Sequence, residues 1–280
     1  MPELPEAEVV AGQIRSRLLG APLGEVWVGR ADIVREGFST LSWYPGASLQ
    51  SVERFGKSVA LGFVKDQVCR YVVAELGMTG LLLFQSTPTK HPQHVHVKML
   101  FEDAREESEL RYWNPRRFGR LSLLDRAGLD RYLARRFGLD PLSASQQDFV
   151  ELLQSRRGRL KSLLMHQQVI AGIGNIYANE ILFRAGLHPH VQVSRLAVGK
   201  MEKLYQVMCA VLHEAIACGG SSVRDFFAPD GTEGQYKQRH LVYGKAGQLC
   251  PNHCGGVIRR FQGERSAYFC PRCQSLRFAK

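Results

Sequence analysis

Four cysteines near the end of the chain constrain its folding more than any other feature. Three residues separate Cys250 from Cys254, two separate Cys270 from Cys273, and fifteen lie between the pairs. Paired knuckles at this spacing gather thiolates around one tetrahedral ion, so the pattern predicts a structural zinc site rather than a disulfide frame. The loop between them is long enough for a two-stranded ribbon. His253 also follows Cys250 at a ligand spacing, so either it or Cys254 completes the first knuckle. Gly255-Gly256, directly after Cys254, favours the cysteine, because close backbone approach needs glycine. A segment this short has no core of its own, and a bound metal typically supplies ~10 kcal/mol or more to fold it. Cys69, Cys209 and Cys218 stand in apolar surroundings and read as buried small hydrophobes.

The 280 residues exceed what one compact domain usually holds, and two domains with a small appendage are expected. Hydrophobic residues make up 45% of the chain, enough to bury a core and to exclude a disordered one. Lys and Arg number 37 against 26 acids, a formal charge of +11. That surplus favours a polyanionic partner, nucleic acid before membrane. No apolar run is long enough to span a bilayer. The opening Met-Pro-Glu-Leu-Pro-Glu lacks the basic and apolar regions of a secretory signal, so a cytoplasmic, non-secreted protein is expected.

Pro5, Glu6 and Glu8 suit a first helical turn, Val10, Ile14 and Leu18 recur at helical spacing, and Gly20 ends the pattern. From about residue 25 to 125 the texture changes to short apolar or alternating runs: Glu25–Val28, Leu49–Val64, Val68–Leu76, Leu81–Phe84, Val95–Phe101, Leu110–Trp113 and Leu121–Leu124. Gly, Pro and Asp punctuate them, as in a β-sandwich. Arg126–Arg136 reads as a helical linker. Helical patterns follow at Asp148–Leu153, Leu160–Met165, Asn175–Arg184 and Val193–Ala217, and Gly219-Gly220 breaks the last. The long polar loop after it is of a kind that is often functional. Basic residues gather at Arg111, Arg116, Arg117 and Arg120, at Arg156, Arg157, Arg159 and Lys161, and at Arg259, Arg260, Arg265, Arg272 and Arg277. Three such runs in separate elements point to a shared phosphate-binding surface.

Several short motifs occur in order: Pro2-Glu3-Leu4-Pro5-Glu6, Lys57, Leu76-Gly77-Met78-Thr79-Gly80 and Asn114-Pro115-Arg116-Arg117-Phe118-Gly119. Gly172-Ile173-Gly174-Asn175-Ile176-Tyr177-Ala178, Gly219-Gly220, Val242-Tyr243-Gly244 and the cysteine ribbon complete the series. Together they resemble the formamidopyrimidine-DNA glycosylase and endonuclease VIII family of bifunctional DNA repair enzymes. The resemblance implies an α+β multidomain chain. It comprises an N-terminal β-sandwich with an N-terminal helix (residues 1–130), a helix–two-turn–helix domain with a capping loop at about 219–240 (131–240), and a zinc ribbon (241–280). It implies a monomer acting on damaged double-stranded DNA in the cytoplasm, associated with the nucleoid, and one structural zinc ion.

On residues alone, Pro2 is equally the first-turn proline of a helix behind a retained Met1 or, after removal of Met1, a free secondary amine. An α-amine titrates near ~8, so part of it is unprotonated and nucleophilic at neutral pH. The resemblance makes Pro2 the nucleophile that forms a Schiff base, Glu3 the acid/base that opens the deoxyribose, and Glu6 a supporting partner. It makes Lys57 a phosphate contact and proton carrier, and Arg265 the phosphate grip that assists the last elimination. Met78, Arg116 and Phe118 match the residues that fill the gap left by an extruded nucleotide. His94, Arg156 and Asn175 match phosphate contacts, and Arg224 lies in the loop implied to close over the extruded base. The full length of that loop implies oxidised purines, such as 8-oxoguanine and formamidopyrimidines, as substrates. The rival readings are an oxidised-pyrimidine glycosylase of the sister branch and a non-catalytic lesion binder.

The chain departs from the family pattern at four places. Glu75 stands where relatives usually carry a phosphate-contacting histidine, and His166 where an aspartate is common. Gly234-Gln235-Tyr236 replaces the usual Gly-Tyr-Phe, and the first cysteine knuckle is one residue longer. Glu75 bears on the backbone path or the lesion preference and the altered loop on base selectivity; the longer knuckle stays within the spacing that zinc allows.

Overall fold

The computed structural model describes residues 2–89, 91–103, 107–223, 226–263 and 265–276. Arg224 and Arg277 lie outside them. The chain divides into two compact units, Met1–Arg135 with Ile216–Lys237, and Arg136–Ala215 with Gln238–Lys280.

The first unit opens with helix α1 (Leu4–Leu18), which has a proline in its first turn, Glu6 at its positive end and Arg15 and Arg17 at its negative end. Its buried face, Ala7, Val10, Ala11, Ile14 and Leu18, joins the core of the sheets that follow. Strands β1 (Leu23–Val28), β2 (Val34–Glu36), β3 (Ser48–Phe55), β4 (Ser58–Lys65), β5 (Val68–Glu75), β6 (Leu81–Phe84), β7 (Val95–Phe101), β8 (Glu109–Trp113) and β9 (Arg120–Asp125) form two sheets. One has the order β1-β7-β8-β6 and the other β2-β9-β5-β4-β3. Val52, Leu61, Phe63, Val72, Leu121 and Leu123 of the second sheet share one core with Leu82, Phe84, Val97, Met99, Leu110 and Tyr112 of the first, which makes a sandwich.

The single apolar run Leu49–Val64 proves to be two strands. Its first strand is an edge strand with exposed residues, but β4 is buried on both faces through Phe63, so no alternation marks the change. The break is a two-residue hairpin turn, Gly56-Lys57, closed by Phe55 opposite Ser58, and the φ of 56° at Gly56 requires glycine at that first position. Strand β2 was invisible in the sequence because three residues with one buried side chain carry no pattern.

Residues 216–237 group with the first unit, although the sequence reading assigns them to the second domain. Hydrogen bonds explain the grouping. The neck of the loop is zipped by Gln235 N–H to Cys218 O (2.8 Å) and Tyr236 N–H to Gly220 O (3.0 Å). A Cβ on Gly234 would collide with the Gly219 and Gly220 carbonyls. The far end is tied to α1 by the Gln13 amide on Asp230 (2.9 Å), and to β6 by Phe84 N–H on Pro229 O (2.8 Å).

Helix α2 (Arg126–Arg136) closes the first stretch of the first unit, and the second unit continues with α3 (Gln146–Gln154), which a Ser145–Asp148 capping box starts. Helices α4 (Leu160–Met165), α5 (Asn175–Arg184) and α6 (Val198–Ala217) follow. The helical pattern from Val193 begins late. Residues 193–195 form a separate 3₁₀ turn, because Val193 N–H bonds Gly158 O and the extended Leu196 interrupts the helix. Strands β10 (Arg259–Phe261) and β11 (Ala267–Phe269) make the expected antiparallel ribbon. Among the described residues, no helix is long and apolar enough to cross a membrane.

All three tryptophans, Trp27, Trp43 and Trp113, belong to the first unit, so their fluorescence reports its unfolding alone. Phe63 is fully buried between Tyr44 and Phe101, with ring centroids 5.6 and 6.3 Å away. Phe63→Ala should destabilise the first unit by about 3–5 kcal/mol, seen as an earlier urea midpoint in tryptophan fluorescence. An unchanged midpoint would contradict the shared core.

Candidate functional site

The start of α1 is built around two buried carboxylates. Glu3 is the N-cap residue, and its N–H donates to Glu6 Oε2 at 2.7 Å in a capping box. The other oxygen, Glu6 Oε1, accepts the Ser221 N–H at 2.7 Å. Gly220 lies against the same side chain with φ of 80°, and a Cβ there would come within 2.9 Å of Glu6 Cγ. Glu6 therefore joins the helix start to the neck of the 219–237 loop. With each oxygen held by a backbone amide, it is a structural acceptor. Glu3, whose own side chain accepts the Glu6 N–H in the same capping box, is the second buried acid and stands next to the buried Pro2. Lys57 sits half-buried on the β3–β4 turn. The departure at Glu75 falls at the end of β5, opposite Ser58 on one side and Arg120 on the other.

Two turns on this unit present the proposed filling residues. Met78 is 39% exposed and Phe118 57%, and the Arg116 guanidinium lies 4.9 Å from the centre of the Phe118 ring. The turns are locked together. Gly77 has φ of 61°, and a Cβ there would strike the Gly119 backbone; one on Gly119 would strike the Glu75 carbonyl and the Tyr112 hydroxyl. Asn114, fully buried, is the hub that sequence reasoning passed over as part of a motif. Its Nδ2 donates to Tyr112 Oη (3.1 Å) and Gly119 O (3.2 Å), while its Oδ1 accepts from Arg117 N–H (3.0 Å) and Thr79 Oγ1 (3.4 Å). Tyr112 Oη in turn donates to Glu75 O at 2.7 Å. Half-buried His94 accepts Asn114 N–H on its carbonyl at 2.9 Å, and the His96 ring lies 3.0 Å from the Asn114 carbonyl. Burial lowers the His96 pKa from its ordinary value, against the opposite pull of that hydrogen bond.

The second unit holds the other candidates. Arg156 is exposed after the end of α3, and Asn175 opens α5 behind an extended Gly174. The Lys161 ammonium, nearly fully buried, donates to Asn175 Oδ1 and to Ser266 O, both at 2.7 Å. Lys161 thus leaves the solvent-facing basic run that the sequence suggested, and its bond to Oδ1 leaves the Asn175 Nδ2 donors for another acceptor. Other basic residues divide the same way. Arg111 is spent on the carbonyls of Phe84, Gln85 and Thr87, Arg120 on those of Arg117 and Gly119, and Arg272 on that of Cys254. Arg156, Arg157, Arg159, Arg259 and Arg265 are exposed, and their guanidiniums have no hydrogen bond or ion pair among the described residues. His166 is an exposed residue closing α4.

The ribbon gathers Cys250, Cys254, Cys270 and Cys273, whose sulfurs all lie within 4.8 Å of one another. His253 does not join them; it is exposed with φ of 53°, and Cys254 is the member from the first knuckle. The sulfur separations of 3.6 Å (Cys250–Cys273), 3.5 Å (Cys254–Cys270) and 3.4 Å (Cys254–Cys273) approach the edge of about 3.8 Å expected around a tetrahedral ion with 2.3 Å metal–sulfur bonds. The Gly256 N–H, aided by neighbouring cysteines, pulls the Cys254 thiol down to about 7, whereas burial first of all pushes Cys250 and Cys273 up. A cation would bring all four to thiolate.

The formamidopyrimidine-DNA glycosylase N-terminal domain model matches residues 1–121, and the formamidopyrimidine-DNA glycosylase H2TH domain model matches 137–227. The chain is 37% identical to the formamidopyrimidine-DNA glycosylase of Laribacter hongkongensis, over 98% of this chain and all of that one. The MutM (Fpg) protein of Thermus thermophilus superposes with a TM-score of 0.84 at 34% identity, covering 98% of both chains. A Lactococcus lactis Fpg variant bound to Fapy-dG-containing DNA superposes with a TM-score of 0.85 at 29% identity, covering 98% of this chain and all of that one.

Two outcomes test this geometry. Asn114→Ala should cost the first unit about 1–3 kcal/mol, because four hydrogen bonds of one buried amide, to Tyr112, Gly119, Arg117 and Thr79, are lost together; tryptophan-monitored unfolding unmoved by the change would contradict the hub. Metal analysis should find one ion per chain, and its removal by a chelator should expose four reactive thiols while leaving the tryptophan transition in place.

Proposed function

The chain belongs to the formamidopyrimidine-DNA glycosylase family, and on that premise we propose that it is a bifunctional DNA glycosylase and abasic-site lyase of base excision repair. Its substrates are oxidised purines, 8-oxoguanine and formamidopyrimidines, in duplex DNA. The observation that carries this reading is the pair of buried residues at the start of α1, Pro2 and the Glu3 carboxyl next to it.

Once Met1 is removed, Pro2 is a secondary amine with a lone pair at neutral pH. Pro2 N attacks the deoxyribose C1′, the glycosidic bond breaks, and the base leaves with its electron pair and takes up the proton that the nitrogen loses, which restores the nitrogen lone pair. Glu3 gives a proton to the ring oxygen as the sugar opens, and the nitrogen lone pair completes the iminium. Loss of a C2′ proton then expels the 3′ phosphate, and a second elimination expels the 5′ phosphate. The strand is left with a one-nucleoside gap. Lys57 contacts phosphate and carries protons near the sugar, and Arg265 grips phosphate and assists the last elimination.

Met78, Arg116 and Phe118 fill the space of the extruded nucleotide. The exposure of Met78 and Phe118, on turns locked by glycine contacts and Asn114, supports that role, since a wedge must be both exposed and rigid. His94, Arg156 and Asn175 hold phosphates; the orientation of the Asn175 amide by Lys161 supports this, as does the unneutralised guanidinium of Arg156. The four cysteines would hold one zinc ion, whose contribution is to fold the ribbon that presents Arg265. The protein works as a monomer on damaged duplexes in the cytoplasm, at the nucleoid.

Borohydride should trap a covalent adduct between the protein and duplexes carrying 8-oxoguanine, and Pro2→Gly should reduce trapping by at least about a hundredfold. Cleavage of 8-oxoguanine duplexes should exceed that of thymine-glycol duplexes. The reverse order would instead favour the pyrimidine branch, and no adduct on any lesion would sink the enzymatic reading.

A further inference from the structure

Helix α5 reaches the ribbon through three polar contacts. Glu180, fully buried, takes the Leu241 N–H on Oε2 at 2.8 Å and the Val242 and Tyr243 N–H groups on Oε1 at 3.0 and 2.8 Å. Three successive amides converge on one carboxylate, an anion-binding nest filled by the protein's own side chain. Its neighbour Asn179, also buried, accepts the Tyr268 N–H on Oδ1 at 2.8 Å. Tyr268 pairs with Arg260 at the middle of the ribbon, and its N–H turns outward to the helix. The third contact is Lys161, which joins Asn175 at the start of α5 to the carbonyl of Ser266, the residue after Arg265.

These contacts do something that apolar packing does not. Phe183, Val242, Cys250, Ile258 and Cys270 form a small core under the ribbon, but such burial is non-directional and tolerates sliding. The metal site sets the shape of the ribbon, not its seat. Each hydrogen bond to Glu180, Asn179 and Lys161 fixes a ribbon backbone atom relative to the same helix whose first residue is Asn175. Arg265 itself is exposed and has no hydrogen-bonding or ionic partner among the described residues, so its reach depends on where that backbone is held.

We propose that Glu180 and Asn179 are positioning residues that seat the ribbon on α5 so that Arg265 engages its phosphate in register with Asn175. This rests on the reading of Arg265 and Asn175 as phosphate contacts. The sequence spacing carried no hint of it, because an acid and an amide inside a helix read as solvent-facing.

The test is a double-mutant cycle in the full-length, metal-loaded protein, with binding to a duplex bearing a stable abasic-site analogue as readout. Glu180→Gln keeps the volume but sets an amide N–H against a backbone N–H. Arg265→Ala should weaken binding about tenfold, the scale of a charge-assisted phosphate contact. Glu180→Gln should weaken it about fivefold, and the double variant no more than about twofold beyond Arg265→Ala alone, because the two act through one contact. Hydrogen exchange should speed up at Leu241–Tyr243 while metal content stays at one ion per chain. If Glu180→Gln does not fold, Asn179→Leu, which drops only the acceptor for Tyr268, takes its place in the cycle. Losses that multiply, or a variant that binds as wild type, overturn the positioning role. Wild-type protein that ignores the abasic duplex overturns instead the functional reading beneath it.

Discussion

The fold around the N-terminus depends on one buried carboxylate. Glu6 receives the amide of Glu3, three residues before it, and that of Ser221 at the far end of the chain. A carboxylate out of water is costly unless its lone pairs are met by donors, and here backbone amides meet them. Two parts of the chain that meet only through folding therefore share one side chain. The helix start that carries Pro2 and Glu3 cannot move without disturbing the neck of the 219–237 loop. In the proposed reaction, the amine and the loop implied to cover the extruded base are held to one another by this bond pair.

The same economy governs the basic residues. A charge of +11 could be spread over a solvated surface, but the structure sorts it. Arg111, Arg120, Lys161 and Arg272 bond carbonyls of the chain and stabilise turns. Arg156, Arg157, Arg159, Arg259 and Arg265 keep their donors exposed. Cations of the second kind are free to exchange counterions for phosphates, while those of the first kind brace the chain's own backbone.

Much of this was legible from residue patterns. The cysteine spacing foretold the cluster, and the choice of Cys254 over His253 followed from the glycine after it. Amphipathic spacing located α1, α3, α4 and α5, and alternation located most strands. What stayed hidden lacked local periodicity. β4 is buried on both faces, so its junction with β3 looked continuous; β2 is too short to alternate. The grouping of 216–237 with the first unit depends on Gln13, Glu6 and Phe84, which lie far upstream of their partners and occupy ordinary helix and strand positions. Asn114 and Glu180 were unread for a related reason: a single polar residue declares its partners only when the chain has folded around it.

Peptide mapping of the borohydride-reduced protein–DNA adduct tests the assignment of Pro2 most directly. The deoxyribose remnant should be found on a peptide that begins at Pro2, bonded to its nitrogen. Attachment to Lys57 or to another amine, or full cleavage by a chain that still carries Met1, would contradict it.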